Sequence, residues 1–188
     1  MTNCFKMRLT GSGGQGVILA TIILAEAGLM AGKNSLQSQS YGPEARCGMC
    51  KAETIISDGE IWFTKVTNPN FLLALTQESL NKFSQGLDPN CIVMADSSLT
   101  LPACLKNNPV ITVPILKSAK DVVGKVFTAN IVAVGAINAT LKLAPPELLE
   151  QAVFLHIPKG TEDLNRKALH VGEDLIKQYD LPIDIKIA

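Results

Sequence analysis

Six residues, Gly11-Ser12-Gly13-Gly14-Gln15-Gly16, separate a short alternating run from a long apolar one. They restrict the fold of this chain more than any other feature. Before them, Phe5, Met7 and Leu9 alternate with Lys6, Arg8 and Thr10, the period of two that marks a strand. After them, Val17 to Ala31 is apolar almost throughout and Gly32 offers a C-terminal stop, which reads as a helix. A strand that enters a helix through a glycine turn is a building unit of parallel α/β sheets. Gly11, Gly13 and Gly16 also satisfy the G-x-G-x-x-G spacing. In that setting glycine permits a tight turn and close backbone approach, and the N–H groups at the helix start face an anion. The competing reading is a closely packed strand-to-helix turn that binds nothing.

The rest of the chain continues the alternation. Asn34 to Cys50, "NSLQSQSYGPEARCGMC", is polar and lacks periodicity, so it is expected to be a long functional loop. "KAETIISDGEIWFTKV" reads as two β-rich runs around Asp58-Gly59, a hairpin signal. Asn68-Pro69 is expected to open a helix that ends near Phe83, with Asn68 as its cap. "CIVMAD" and "VITVPI" read as buried strands. Asn130 is expected to cap a helix over Ile131 to Leu141, Pro145-Pro146 to start another, and Thr161 to Tyr179 to form a last, amphipathic one. The fold class expected is α/β: a Rossmann-like, mostly parallel sheet with helices on both faces and a β-hairpin addition, in a single domain spanning 1–188.

Composition removes several function classes. Lys plus Arg number 17 and Asp plus Glu 17, for a net charge of zero, so no basic field attracts nucleic acid or an acidic membrane surface. Charged residues make up 18% against 47% hydrophobic. That balance fits a subunit whose surface is partly covered by a partner, or equally a large buried α/β core. "MTNCFKMRLT" has no apolar h-region, and Glu26 and Gly28 interrupt a run already shorter than a membrane span. Five cysteines without a signal segment point to a reducing cytoplasm.

The identity of the anion is narrowed by what is missing. A phosphate loop of the nucleotidase type needs Lys then Ser or Thr after its last glycine, and Val17 and Ile18 stand there. A dinucleotide site wants an acid at the end of the second strand to hold the ribose. No acidic residue precedes Glu44 in that region. The turn suits a phosphate, while the usual dinucleotide partners are absent.

"GSGGQGVILATIILAEAG", followed by "QSQSYGPEARCG" and "KAETIISD", and later "TANIVAVGA" and "NRKALHVGEDLI", together resemble the gamma subunit of the 2-oxoacid:ferredoxin oxidoreductases, most closely the 2-oxoglutarate branch. The likeness runs over nearly the whole chain, and its specificity comes from joining the glycine turn to Ser40-Tyr41-Gly42-Pro43-Glu44-Ala45-Arg46. The resemblance implies a gamma-type domain in a complex that oxidatively decarboxylates a 2-oxoacid, forms an acyl-CoA and reduces ferredoxin. It implies thiamine-binding alpha and beta subunits and a ferredoxin-like subunit as partners, carrying thiamine diphosphate, Mg2+ and iron–sulfur clusters. Coenzyme A would be contacted in part by this chain, with Gly11, Ser12, Gly13, Gly14, Gln15 and Gly16 near its phosphates.

The residues agree with that division of labour. The nearest approach to a thiamine-type Gly-Asp-Gly is Ser57-Asp58-Gly59, and no run of closely spaced cysteines could ligate a ferredoxin-type cluster. Where the family reads Arg-Gly-Gly, this chain has Arg46-Cys47-Gly48-Met49-Cys50. Cys47 and Cys50 could be a redox pair or half of a metal site. No second ligand pair matches them, however, and the motif leads into a strand rather than opening a helix, so two small, partly buried side chains are the preferred reading. Ser40, Tyr41, Glu44 and Arg46 are assigned to an interface or active-site loop in preference to a local ion pair. Asp96 and Ser97 end a predicted strand and are expected to cap the next helix. His156 and His170 lie on predicted helices without ligand spacing and are read as packing or surface residues. No catalytic or metal-binding residue is assigned, and the isolated chain is expected to be inactive. The alternatives are the equivalent subunit of a pyruvate, branched-chain or indolepyruvate enzyme, and a free-standing NAD(P)-binding protein.

Overall fold

The alternating run before the glycine turn forms β1, Cys4–Ser12, in a computed structural model that describes residues 3–39, 48–177 and 179. β1 lies inside a six-stranded sheet of order β2-β3-β1-β4-β5-β6. The other strands are β2 (Asn34–Gln39), β3 (Met49–Ser57), β4 (Phe71–Ala74), β5 (Ile92–Asp96) and β6 (Val110–Val113). β1, β4, β5 and β6 run parallel, and β3 is antiparallel to both β1 and β2. The fold is therefore α/β with a mixed, mostly parallel sheet.

Alternation sorts the side chains between the two faces. Phe5, Met7, Leu9, Phe71, Leu73, Ile92, Met94, Ile111 and Val113 point into one core, under α1 (Val17–Met30), α4 (Ala129–Leu141), α5 (Pro146–His156) and α6 (Glu162–Lys177). Leu72, Ala74, Val93 and Ala95 point to the other face, where Leu80 of α2 (Gln77–Phe83) covers them. In α4 every residue except Ala139 is buried, because α6 lies over it as an outer layer. Two glycines bring these helices together. A Cβ on Gly135 would stand 2.2 Å from Leu169 O, and one on Gly172 would stand 2.0 Å from Val132 O.

Four sequence expectations are corrected. The stretch after α1 begins with a strand, β2, rather than a loop. Asn34–Gln39 is polar because it forms the margin of the sheet and pairs on one side only, with β3; such a strand needs no apolar run. Its Gln37 Nε2 reaches Thr21 Oγ1 on α1 at 3.2 Å. The second arm of the hairpin at Asp58-Gly59 is no strand. Both edges of β3 are already taken, by β1 from Cys4↔Ser57 to Ser12↔Met49 and by β2 from Asn34↔Ser57 to Gln39↔Ala52. The antiparallel addition is thus β3 with β2. The segment after Ser57 is held against the sheet instead by Arg8, which donates to Val66 O at 2.6 Å and pairs with Glu53 at 2.7 Å.

The helix expected from Asn68 starts at Gln77, because Phe71–Ala74 is the buried strand β4. A strand buried on both faces is a continuous apolar run and lacks the period that separates it from a helix. Thr76 is the true N-cap, accepting from Ser79 N. Asn130 is not the cap of α4 either. The N-cap is Thr128, and Asn130 sits inside the first turn with its side chain turned towards Gly16. Asp96 acts as an anchor, though not for the next helix in sequence. It accepts from Ser98 N at 3.0 Å and from Leu116 N at 2.8 Å, in the first turn of α3 (Ile115–Ser118).

Candidate functional site

The glycine turn stands where the sheet topology opens a crevice. From β1 the chain crosses through α1 on one face to β2, and from the adjacent parallel β4 it crosses through α2 on the other face to β5. Helices leaving neighbouring strands to opposite faces define a switch point, and ligands of open α/β sheets bind there at the carboxyl ends of the strands. β1 and β4 are locked together at that end: Thr10 Oγ1 donates to Leu73 O at 2.7 Å and Leu75 N to Thr10 O at 3.0 Å.

Each glycine has a different task. Gly11 is buried, and a Cβ there would strike Gln15 Oε1 at 2.5 Å. That oxygen accepts from Ser12 N at 2.7 Å, and Gln15 N donates to Ser12 O at 3.2 Å, so the Gln15 side chain closes the loop from inside. Gly14 and Gly16 have φ of 88° and 71°, the left-handed region that disfavours a side chain. Gly13 and Gly14 are exposed, and a Cβ on either would meet nothing within 4 Å. Gly16 is the N-cap of α1. Ala20 N donates to Gly16 O at 3.0 Å, closing the first turn. The N–H groups of Val17, Ile18 and Leu19 therefore precede the first bond of the helical ladder and point out of its positive end. No acidic side chain stands in that first turn to compete for them.

The turn is also tied to the second motif. Gly13 N donates to Gly48 O at 2.8 Å, immediately before β3. Gly11 pairs with Cys50 and Ser12 with Met49. The point where the chain re-enters after residue 47 is thereby fixed against the glycine turn. Ser40, Tyr41, Glu44, Arg46 and Cys47 themselves lie outside the described residues. Cys50 is half-buried on β3, and burial raises its thiol pKa, which disfavours the reactive thiolate.

Two residues that the sequence reading used otherwise, or not at all, belong to this neighbourhood. Asn130, 5% exposed, donates from Nδ2 to Gly16 O at 3.5 Å. Gly48 supplies the carbonyl that holds Gly13. The partners in the first contact are 114 residues apart, and no local pattern signals it.

The other candidate groups lie elsewhere. His156 Nε2 stands 4.0 Å from Glu26 Oε2, and His170 Nδ1 is 3.3 Å from Glu173. One cleft of about 300 Å³ lies between α5 and α6, lined by Glu150, Phe154 and His170. Another of about 450 Å³ is lined by Leu29, Ser35 and Trp62. Neither includes the glycine turn. Among the described residues no group of three or more His, Cys, Asp or Glu could hold a metal ion, and no helix is long and apolar enough to cross a membrane.

Residues 6–175 match the family model described as pyruvate ferredoxin/flavodoxin oxidoreductase. The chain is 36% identical to the 2-oxoglutarate synthase subunit KorC of Methanocaldococcus jannaschii, over 92% of this chain and 94% of that one. The crystal structure of a keto/oxoacid ferredoxin oxidoreductase gamma subunit from Geobacter sulfurreducens superposes with a TM-score of 0.83 at 41% identity, covering 93% of this chain and 99% of that one. A 2-oxoglutarate:ferredoxin oxidoreductase from Magnetococcus marinus, solved with 2-oxoglutarate, coenzyme A and succinyl-CoA bound, shares the fold. Its TM-score is 0.84 at 18% identity, over 94% of this chain and 31% of that one.

Proposed function

The chain belongs to the pyruvate ferredoxin/flavodoxin oxidoreductase family, as a gamma subunit of a 2-oxoacid:ferredoxin oxidoreductase complex, and from that premise we propose that it holds the phosphates of coenzyme A at the Gly11–Gly16 turn. We infer further that the 2-oxoacid is 2-oxoglutarate, since the relative that it matches nearly end to end is named for that substrate. Thiamine diphosphate, Mg2+ and the iron–sulfur clusters belong in this reading to the alpha, beta and ferredoxin-like partners, and ferredoxin takes the electrons. The 1–188 chain is one gamma-type domain and works in the cytoplasm. Its Ser40–Arg46 segment docks on the thiamine-binding subunits.

One observation carries the coenzyme reading. Gly13 and Gly14 present bare backbone to open space beside the positive end of α1, at the switch point of the sheet. A phosphate there meets N–H donors without displacing any side chain.

Gly13 is the position to test. Its φ is ordinary and a Cβ meets no atom, whereas any side chain at Gly14 is strained by its φ of 88°. Gly13→Val in the assembled complex should raise the KM for coenzyme A by about ten-fold, the worth of one charge-assisted hydrogen bond. The KM for the 2-oxoacid and the melting temperature should not move. A folded variant with unchanged coenzyme dependence returns the turn to a purely structural role. A panel of 2-oxoacids decides the substrate: turnover that favours pyruvate, a branched-chain acid or indolepyruvate over 2-oxoglutarate overturns that assignment.

A further inference from the structure

Gly16 O points down α1 and accepts from Ala20 N at 3.0 Å. The same peptide plane carries Val17 N–H on its opposite side, so whatever fixes that carbonyl also aims the first N–H of the helix. Asn130 is placed to fix it. Its Nδ2 lies 3.5 Å from Gly16 O, at the long limit for an N–H···O bond, so it orients more than it stabilises. Contact does the rest. A Cβ on Gly16 would stand 2.6 Å from Nδ2, 2.8 Å from Cγ and 3.1 Å from Cβ of Asn130. The carboxamide therefore occupies the space that the missing Gly16 side chain leaves. Asn130 cannot retreat, being 5% exposed in the first turn of α4, a helix buried on almost all sides.

We propose that Asn130 is the positioning residue of the anion turn, holding the Gly16–Val17 peptide so that Val17 N–H faces the phosphate of coenzyme A. The inference rests on the coenzyme reading above and extends it to a residue on a distant helix. An amide is the fitting side chain, because it donates to the carbonyl and brings no charge. An aspartate of the same shape would lose that donor and set a negative charge beside an anion site. A leucine of similar size would keep the packing and lose only the donor.

The test uses the assembled complex with coenzyme A varied at saturating 2-oxoacid, and the converse. Asn130→Asp should raise the KM for coenzyme A by about ten-fold or more. Asn130→Leu should raise it about five-fold, the worth of one neutral hydrogen bond. In both, the KM for the 2-oxoacid should stay at the parental value, and so should kcat at saturating coenzyme. A general disturbance of the core would instead lower kcat and shift both KM values together. Asn130→Leu keeps the proposal testable should the aspartate variant fail to fold. Gly13→Val, measured beside them, separates the two readings. If it raises the KM for coenzyme A while both Asn130 variants behave like the parent, the positioning role is wrong and the coenzyme site stands. If Gly13→Val also leaves that KM unchanged, the coenzyme reading falls and this inference falls with it.

Discussion

Replacing Gly172 by alanine sets two opposed effects against each other on one helix. Alanine is the better helix former by about 1 kcal/mol, so on an exposed helix the change would stabilise. Here the new methyl carbon would lie 2.0 Å from Val132 O and 2.9 Å from Ala136 N, both backbone atoms of α4. Neither can turn away as a side chain can. The helices must part by about 1 Å to reach even the shortest tolerable contact, and a gap of that size forfeits a quarter to a half of each dispersion contact across it. The contacts at stake are those of Asn165, Ala168, Leu169 and Ile176 against α4 and the core. Overpacking of this kind costs about 1–3 kcal/mol or more, and backbone contact belongs at the upper end. After subtracting the helix-propensity gain, a net loss of about 2 kcal/mol is expected, a fall of roughly 4–8 °C in Tm for a chain of this size. Urea denaturation followed by circular dichroism should show a lower midpoint with an unchanged slope.

Gly28→Ala is the matched comparison, because it gains the same propensity in α1. Its methyl meets only side-chain atoms, Ile56 Cγ2 and Ser35 Oγ, each at 2.8 Å. It should cost clearly less than Gly172→Ala. The Gly135→Ala, Gly172→Ala double variant should cost less than the sum of the two, since one separation of α4 from α6 accommodates both methyls. A neutral or stabilised Gly172→Ala, or a larger loss at Gly28, would refute the argument from close backbone approach.

Arg8→Met should cost about 3 kcal/mol by chemical denaturation, because it leaves the Glu53 carboxylate, 9% exposed, with only Lys51 at 3.7 Å and frees Val66 O. Adding Glu53→Leu should recover much of that loss. Burial pushes the Cys91 thiol pKa from 9.0 up to about 12, whereas Cys104 is exposed. Alkylation at pH 8 followed by peptide mapping should therefore label Cys104 in the native protein and Cys91 only in denaturant. Because the folded value lies above the unfolded one, Cys91 favours the fold below pH 9 and loses that contribution as pH rises from 9 towards 12; a gain in stability over that range at Cys91, measured against Cys91→Ala, would contradict the assignment. Arg46→Ala should weaken assembly with the partner subunits or acyl-CoA formation while the chain still melts cooperatively; native assembly and parental turnover would remove Arg46 from the docking segment.

The chain order of elements was legible wherever one residue's neighbours in sequence decide its state. β1, the glycine turn and α1 follow from alternation, glycine spacing and an apolar run that ends at Gly32. β5, β6, α5 and α6 follow from short apolar runs, a proline pair and an amphipathic period. The family resemblance was legible for the same reason, since the Gly11–Gly16 and Ser40–Arg46 motifs are local strings. What the sequence could not decide is who pairs with whom. Asn34–Gln39 is a strand because β3 offers it an edge, and the run after Asp58-Gly59 is not one because β1 and β2 have used both edges of β3. Phe71–Ala74 is a strand because the sheet buries it between β1 and β5, where a helix and a strand present the same apolar letters. The switch point between β1 and β4, and the placement of Asn130 against Gly16, join residues far apart in the chain. Their positions depend on the sum of packing and hydrogen-bonding choices across both faces of the sheet, and that sum exists only once the whole core has formed.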